Sequence, residues 1–244
     1  MTDNRYFSRN YFLTPGECNA QSEMPLWLLV EQIIEVGTLH ANSWGVGYAR
    51  LIEQNRGWVL SRLAVEMKRY PSVNEHYTLT TWVESYNRRF SERLVEITDE
   101  NGEVIGNAVT VWVVIDYATR TSCDISELSY LQDLIVDKQS DIQRPMRIRQ
   151  VTPVRTDRYR FRYADIDFNR HVNSWRYVCL LMNRWSLEFH DKHRVERFEI
   201  SYMKEGHEGE EAIITIDDAS LDVKMDLAVE GESLVKARVV FVNR

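Results

Sequence analysis

The feature that most constrains the fold of this chain is an internal repeat, because both halves of its 244 residues carry the same order of predicted elements. In each half a short strand-like run leads to an apolar helix, which is followed by four runs rich in β-branched and aromatic residues. The first half has these runs in GWVLSRLAVEMKRY, HYTLTTWVESY, FSERLVEITDENG and EVIGNAVTVWVVID. The second half has them in VERFEISYMKEG, EEAIITIDDAS, DVKMDLAVEG and ESLVKARVVFVN. The repeat predicts two similar domains of the α+β class.

Three pairs of residues align the two halves: Arg62 with Arg197, Gly102 with Gly231, and Trp27 with Trp175. Each glycine of the second pair follows a residue that suits a tight hairpin turn with positive φ. The helices are predicted over residues 24–41 and 173–189, and the first is apolar on most of its faces. Such a helix must be enclosed. Each half is therefore predicted to be one long helix wrapped by a curled antiparallel sheet.

Composition excludes several classes of protein. Hydrophobic residues make up 44% of the chain and charged residues 27%, which is typical of a folded globular protein. Acids outnumber bases by 37 to 30, and this net charge of -7 argues against nonspecific nucleic-acid binding. Neither a secretory signal nor a membrane-spanning run is predicted.

Cysteine usage favours a reducing compartment. The three cysteines, Cys18, Cys123 and Cys179, are widely spaced and form no CxxC pair, so neither a disulfide framework nor a zinc site is predicted. We expect a cytoplasmic protein.

The predicted domains are residues 1–125 and 151–244, joined by a linker over residues 126–150 with a short helical signal and a polar, proline-containing stretch. A run of arginines follows from the linker into the second domain: Arg144, Arg147, Arg149, Arg155, Arg158, Arg160 and Arg162. These side chains are interpreted as the solvated face of a connector and an edge strand, or alternatively as a docking patch for an acidic partner.

One short stretch, DIDFNRHVN over residues 165–173, carries the candidate chemistry. Asp167, Asn169 and His171 alternate at a spacing of two, so an extended backbone would direct all three to one side. The second helix is predicted to begin directly after them, near Asn173 or Ser174, where free N-H groups and the helix dipole would stabilise an oxyanion. Taken singly, each of the three could merely cap the helix by local hydrogen bonds.

The stretch YADIDFNRHVNSWRYV resembles the signature of hotdog-fold thioesterases, and more closely that of the acyl-acyl-carrier-protein (acyl-ACP) thioesterases of plant plastids. The resemblance extends to GWVLSRLAVEMKRYPSVNEHYTLTTWVES and NGEVIGNAVTVWVVIDYATR, and so covers nearly the whole chain. It implies two tandem hotdog domains and hydrolysis of a fatty acyl thioester on carrier protein, with no metal or organic cofactor.

The resemblance also implies the site residues. Asp167, Asn169 and His171 fall on the family's catalytic Asp, Asn and His, and SYMKEG places Glu205 at the position of a catalytic Glu. The plant enzymes have a Cys after that Glu, where this chain has Gly206. No nucleophilic cysteine is therefore carried over, and Cys179 is predicted to be a core residue.

Two schemes of hydrolysis remain open. In the preferred one Glu205 or Asp167 activates a water, Asn169 and His171 orient water and substrate, and the helix start holds the oxyanion. In the other, Asp167 attacks the thioester directly. The first half lacks the motif and has only Cys18 and Asn19 at the corresponding place, so one active site per chain is predicted.

The first domain is predicted to hold the acyl chain, with the loop NSWGVGYARLIEQNRGW shaping a tunnel; alternatively its tryptophans only fill the core. An acyl-coenzyme A thioesterase is the alternative function, followed by a noncatalytic acyl-binding hotdog protein. Docking of an acidic carrier protein would need a basic surface, either in the arginine run above or at Arg88, Arg89 and Arg93. Both a monomeric pseudo-dimer and a homodimer are compatible with the sequence.

Overall fold

The computed structural model of the protein describes residues 3–138, 140–148 and 150–244. Within these ranges the helices are α1 (Leu26–Ser43), α2 (Tyr48–Ile52), α3 (Ser174–Met182) and α4 (Leu187–Lys192), with 3-10 turns at Pro15–Glu17, Ser126–Leu134 and Tyr163–Asp165. The strands are β1 (Tyr6–Phe12), β2 (Arg56–Met67), β3 (His76–Tyr86), β4 (Ser91–Asp99), β5 (Val104–Asp116), β6 (Arg155–Arg160), β7 (His193–Tyr202), β8 (Glu211–Asp217), β9 (Asp222–Val229) and β10 (Glu232–Asn243).

All of these strands form one antiparallel sheet in the order β1-β3-β4-β5-β2-β7-β10-β9-β8-β6. From one edge to the centre the order is β1-β3-β4-β5-β2, and from the other edge it is β6-β8-β9-β10-β7. The two halves therefore have equivalent strand orders, as the predicted repeat requires. The halves join through β2 and β7, where Arg62 pairs with Ser201 and Glu66 pairs with Arg197. This register is symmetric about the pair of Ala64 and Glu199, so it superimposes Arg62 on Arg197 as predicted.

The hairpin glycines also behave as predicted. Gly102 has φ 79° and Gly231 has φ 84°, and they lie in the turns between β4 and β5 and between β9 and β10. Positive φ costs glycine little because it has no Cβ.

The helices pack on one face of the sheet. The indole rings of Trp27 in α1 and Trp175 in α3 lie 5.3 Å apart, so the third predicted pair meets at the junction of the two halves. Leu29 and Ile33 of α1 and Val178 of α3 are buried in the same cluster as the inward residues of the strands. The core is therefore continuous across the two halves.

The second helix differs from its predicted span of 173–189. It ends at Met182, and α4 begins a new helix at Leu187. Ser186 provides the reason for the restart, since its side chain accepts a hydrogen bond from Phe189 N at 3.2 Å and so caps α4. The central helix of the second half is consequently half as long as α1, which has 18 residues against 9.

The segment after β5 packs across the sheet face opposite the helices. Val136 and Ile142 are buried there against Trp82 and Ala64, and Trp82 Nε1 donates to Lys138 O at 3.1 Å. The predicted linker is thus a packed covering layer where the structure describes it. None of the helices in the described ranges is both long and apolar enough to span a membrane.

Candidate active site

The DIDFNRHVN stretch folds into a tight loop. Ile166 and Val172 form an isolated antiparallel bridge, Asp167 N donates to His171 O at 2.8 Å, and Arg170 N donates to Asp167 O at 3.0 Å. Arg170 has φ 67°, which closes the loop. The prediction of an extended backbone with three side chains on one side was therefore wrong, because β6 ends before the loop and the backbone reverses inside it.

The carboxylate of Asp167 holds this loop from within. Its Oδ1 accepts hydrogen bonds from Asn169 N at 2.8 Å and from His171 N at 3.3 Å. Asp167 thus stabilises the loop by local hydrogen bonds, the structural role that the sequence also allowed for it.

A buried carboxylate that was not among the predicted site residues fixes the base of the loop. Asp165 is buried and accepts hydrogen bonds from Arg176 Nη2 at 2.7 Å, Tyr159 Oη at 2.9 Å and Arg162 N at 2.9 Å. Its backbone oxygen accepts from Asn173 N at 2.8 Å. The signal in the sequence was the first acid of DIDF, which stands directly before the candidate residues Asp167, Asn169 and His171.

Helix α3 begins as predicted, with Asn173 as its cap and Asn173 Oδ1 accepting from Trp175 N at 3.4 Å. Arg176 N donates to Asn173 O at 2.9 Å, and Val172 N donates to Gly206 O at 2.8 Å. These N-H groups are already engaged, which weakens the expectation that the helix start holds the oxyanion.

His171 and Glu205 meet across the loop. His171 Nδ1 lies 3.3 Å from Glu205 Oε1, and both side chains are partly buried. Glu205 stands in the turn that follows β7, and this turn is tied to the loop by the bond between Val172 N and Gly206 O. The structure therefore brings Asp167, His171 and Glu205 together, as predicted.

Asn169 lies at the exposed side of the same loop. Within the described part of the chain its side-chain amide hydrogen-bonds to no protein group. The Asn169 side chain therefore does not hold the loop by hydrogen bonds.

Arg120 from the first half of the chain completes the cluster, although no motif in the sequence indicated it. Its guanidinium forms an ion pair with Glu205 Oε2, from a turn after β5 in which Arg120 has φ 58°. Burial, and then the charge of Arg120 and the proximity of His207, lower the pKa of His171, while Asp167 opposes this effect. The net effect is a lowered pKa, which favours the neutral imidazole of His171, the form that accepts a proton.

The structure gives a steric reason for the glycine that stands after Glu205. A Cβ at Gly206 would lie 2.8 Å from Tyr177 Oη and 2.9 Å from Leu234 Cδ1. Cys179, in α3, packs in a partly buried position, and burial raises its pKa to about 11. Its thiol is protonated near neutral pH, so it is a poor nucleophile.

The arginines considered for docking separate into several groups. Arg93 is only 6% exposed, and its Nη1 donates to His40 Nδ1 at 2.7 Å, so its interpretation as a surface docking residue was wrong. Ion pairs engage Arg88, Arg144, Arg155 and Arg158, with Asp124, Glu84, Asp218 and Glu211 respectively. Exposed side chains are those of Arg89, Arg147, Arg160 and Arg162. Arg149 lies outside the described residues.

The loop predicted to shape a tunnel contacts the candidate site. The ring of Tyr48 in α2 meets that of Phe168 edge-on, with centroids 5.5 Å apart. In the same loop, Trp58 Nε1 donates to Val46 O at 2.9 Å, and Trp44 and Trp58 pack against a separate hydrophobic cluster that includes Val46. These tryptophans contribute to packing, whether or not they also line a tunnel.

Comparisons with known proteins agree over nearly the whole chain. The family model of the acyl-ACP thioesterase N-terminal domain matches residues 4–130, and that of the C-terminal domain matches residues 148–243. The crystal structure of an acyl-ACP thioesterase from Bacteroides thetaiotaomicron is 31% identical, with a TM-score of 0.91 over 99% of this chain and 100% of that one. The 12:0-ACP thioesterase from Umbellularia californica has a TM-score of 0.84 at 19% identity, over 98% of each chain. The predicted fold of two tandem hotdog domains is confirmed.

Among curated proteins, the chloroplastic palmitoyl-acyl carrier protein thioesterase of Gossypium hirsutum is 22% identical over 219 residues. That alignment covers 84% of this chain and 53% of the relative. The chain thus spans about half the length of the curated relatives it matches.

Proposed function

The chain belongs to the acyl-ACP thioesterase family, and on that premise we propose that it hydrolyses fatty acyl-ACP to free fatty acid and holo-carrier protein. The observation that carries the proposal is the cluster in which His171 Nδ1 lies 3.3 Å from Glu205 Oε1, beside the loop that Asp167 holds. A base that is oriented by a carboxylate can activate water for attack on a thioester.

In the proposed reaction Glu205 and His171 activate a water. Glu205 keeps the Nδ1 proton of His171 in place, so Nε2 is the nitrogen that accepts the proton of water. The hydroxide adds to the thioester carbonyl, the C-S bond breaks, and the proton returns to the departing thiolate. Asn169, with its exposed amide, is proposed to donate a hydrogen bond to the developing oxyanion.

Direct attack by Asp167 is the competing scheme. The hydrogen bonds from Asn169 N and His171 N to its Oδ1 stabilise the carboxylate and lower its nucleophilicity. Water activation by Glu205 and His171 therefore fits the contacts better.

We assign the catalytic set to the second half, residues 151–244, and the acyl-chain pocket to the first half, residues 1–125, with 126–150 as the linker. The contact between Tyr48 and Phe168 supports this division, since it places an exposed part of the first half against the catalytic loop. A cytoplasmic location is proposed as well, because three widely spaced cysteines without a CxxC pair suit a reducing compartment.

The decisive experiment measures free fatty acid released by the purified protein from acyl-ACP substrates of increasing chain length, beside the matching coenzyme A esters. We expect faster release from the carrier-protein esters than from the coenzyme A esters, and loss of hydrolysis in Glu205→Gln. Glu208→Gln is the matched control, because Glu208 is an exposed acid in the same turn. Preference for coenzyme A esters would transfer the chain to the alternative function, and binding of acyl chains without hydrolysis would contradict enzymatic activity.

A further inference from the structure

Three metal-binding side chains converge at the candidate site. His171, Glu205 and His207 each offer one donor atom, and the three atoms lie within 4.8 Å of one another. His207 has no part in the hydrolysis proposed above. Imidazole nitrogens and carboxylate oxygens are ligands that Zn²⁺ accepts readily, and two histidines with one glutamate form a known zinc-binding set.

The surroundings of His207 resemble those of a metal ligand. His207 Nδ1 lies 3.4 Å from Glu210 Oε1, and His207 N donates to Glu210 Oε2 at 2.8 Å. A carboxylate on one ring nitrogen is the usual arrangement behind a metal-bound histidine, because it orients the ring and leaves the other nitrogen for the ion. The His207 ring also stands edge-on to that of His171, with centroids 5.2 Å apart.

We propose that His171, Glu205 and His207 form a binding site for a divalent transition-metal ion, best suited to Zn²⁺, and that the bound ion inhibits hydrolysis. The inhibition rests on the proposed function, since the ion would engage the imidazole and the carboxylate that activate water. Arg120 already pairs with Glu205 and repels a cation, so the site binds its ion less tightly than it would without this charge.

Direct binding tests the site without reference to activity. The full chain is titrated with ZnCl₂ by calorimetry, and Co²⁺ is added separately to follow its visible absorption as a report on coordination. We expect one ion per chain, and His207→Gln to weaken binding by at least about 10-fold. Glu210→Gln, which removes only the carboxylate behind His207, should weaken it by a similar factor.

His76→Gln is the matched control, because His76 is an exposed histidine on β3 that takes no part in the cluster. Its binding curve should equal that of the unaltered protein. The site would be overturned by the absence of Zn²⁺ binding, or by equal affinity in His207→Gln and the unaltered protein.

Inhibition is tested by following fatty acid release from acyl-ACP while Zn²⁺ is added, then while a chelator removes it. Measured against its own metal-free rate, His207→Gln should need at least about 10-fold more Zn²⁺ for half inhibition than the unaltered protein. If Zn²⁺ bound at the site and left the rate unchanged, the inhibitory role would be wrong. If no thioester were hydrolysed at all, the calorimetric and Co²⁺ results would still decide the metal site, and only the proposed function would fail.

Discussion

Arg120, in the turn after β5, forms an ion pair with Glu205, in the turn after β7. The two residues belong to different halves of the repeat, so the half that lacks the DIDFNRHVN stretch still contributes a charged side chain to the candidate site. The candidate site therefore draws side chains from both halves, although only one half carries Asp167, Asn169 and His171.

Replacing Arg120 by Gln is expected to lower kcat/KM by about 10- to 100-fold, the effect of removing a charge-assisted contact at a catalytic group. The positive charge of Arg120 lowers the pKa of His171. Without it that pKa rises, so the acidic limb of the pH-rate profile should move to higher pH. Profiles of kcat/KM from pH 5 to 9 measure both effects.

The control for this prediction is Arg88→Gln, which removes an exposed ion pair with Asp124. Its profile should match that of the unaltered protein. A normal profile in Arg120→Gln would show that the ion pair does not influence the reacting groups.

Substitutions of Asp167 separate its structural role from a chemical one. Asp167→Asn keeps an oxygen that can accept the hydrogen bonds from Asn169 N and His171 N, whereas Asp167→Ala removes it. If Glu205 and His171 activate the water, Asp167→Asn should retain far more activity than Asp167→Ala, and Glu205→Gln should lose about 100-fold or more. Equal inactivation by Asn and Ala at position 167 would favour direct attack by the carboxylate. Both schemes would be wrong if neither Asp167→Asn nor Glu205→Gln lowered turnover substantially.

The features that were predicted correctly from the sequence are those determined by residues close together in the chain. Strand patterns and turn chemistry depend on neighbouring residues, and so the turns at Gly102 and Gly231 and the alignment of Arg62 with Arg197 were correct. The motif also placed Asp167 and His171 in one loop, although its backbone is bent and not extended.

Contacts between distant residues were not predictable in this way. Arg120 and Glu205 are 85 positions apart, and Arg93 and His40 are 53 apart. Each pair meets only because tertiary packing brings its elements together. Arg93 shows the consequence, since a charged residue in a strand is usually exposed, whereas here it lies beneath α1.

No cysteine is expected to act in catalysis. Cys179→Ala should retain the activity of the unaltered protein, because burial keeps the pKa of this thiol at about 11. Gly206→Cys, which introduces the residue that the plant-type motif has there, should lower thermal stability by about 1–3 kcal/mol through overpacking against Tyr177 and Leu234. Initial rates and thermal unfolding of both variants provide the test. A large loss of rate in a well-folded Cys179→Ala would contradict the water-based scheme.

Acid is expected to destabilise the first half through His40. This histidine is 1% exposed, its Nδ1 accepts from Arg93, and Trp44 and Phe7 pack on its ring. Burial, followed by the charge of Arg93, lowers its pKa to about 4. The unfolded chain therefore binds a proton that the folded chain does not, between pH 6.5 and 4, and stability falls as the pH falls through this window.

The expected loss from this single group is about 3 kcal/mol between pH 7 and pH 4. Denaturant unfolding at several pH values measures it. His40→Gln keeps a polar side chain and removes the titration, so its stability should vary less with pH in the same window. An identical pH dependence in both proteins would assign the effect to other groups.

Carrier-protein docking is expected to depend on Arg160 and Arg162, the exposed arginines beside the site. Phe161, between them, exchanges backbone hydrogen bonds with Glu210 and Gly209 of the turn that also carries Glu205. Because carrier proteins are acidic, the double substitution of Arg160 and Arg162 by Glu should raise KM for acyl-ACP about 10-fold and weaken the salt dependence of KM.

The control is Arg147→Glu, which reverses an exposed charge away from this surface. Arg147 is next to Met146, whose N-H donates to Glu199 on the opposite face of the sheet, so the variant should leave KM unchanged. Steady-state kinetics at low and high salt measure these KM values. Equal KM values for the double variant and the unaltered protein would exclude this surface. A raised KM in the Arg147 variant alone would instead place docking at the linker.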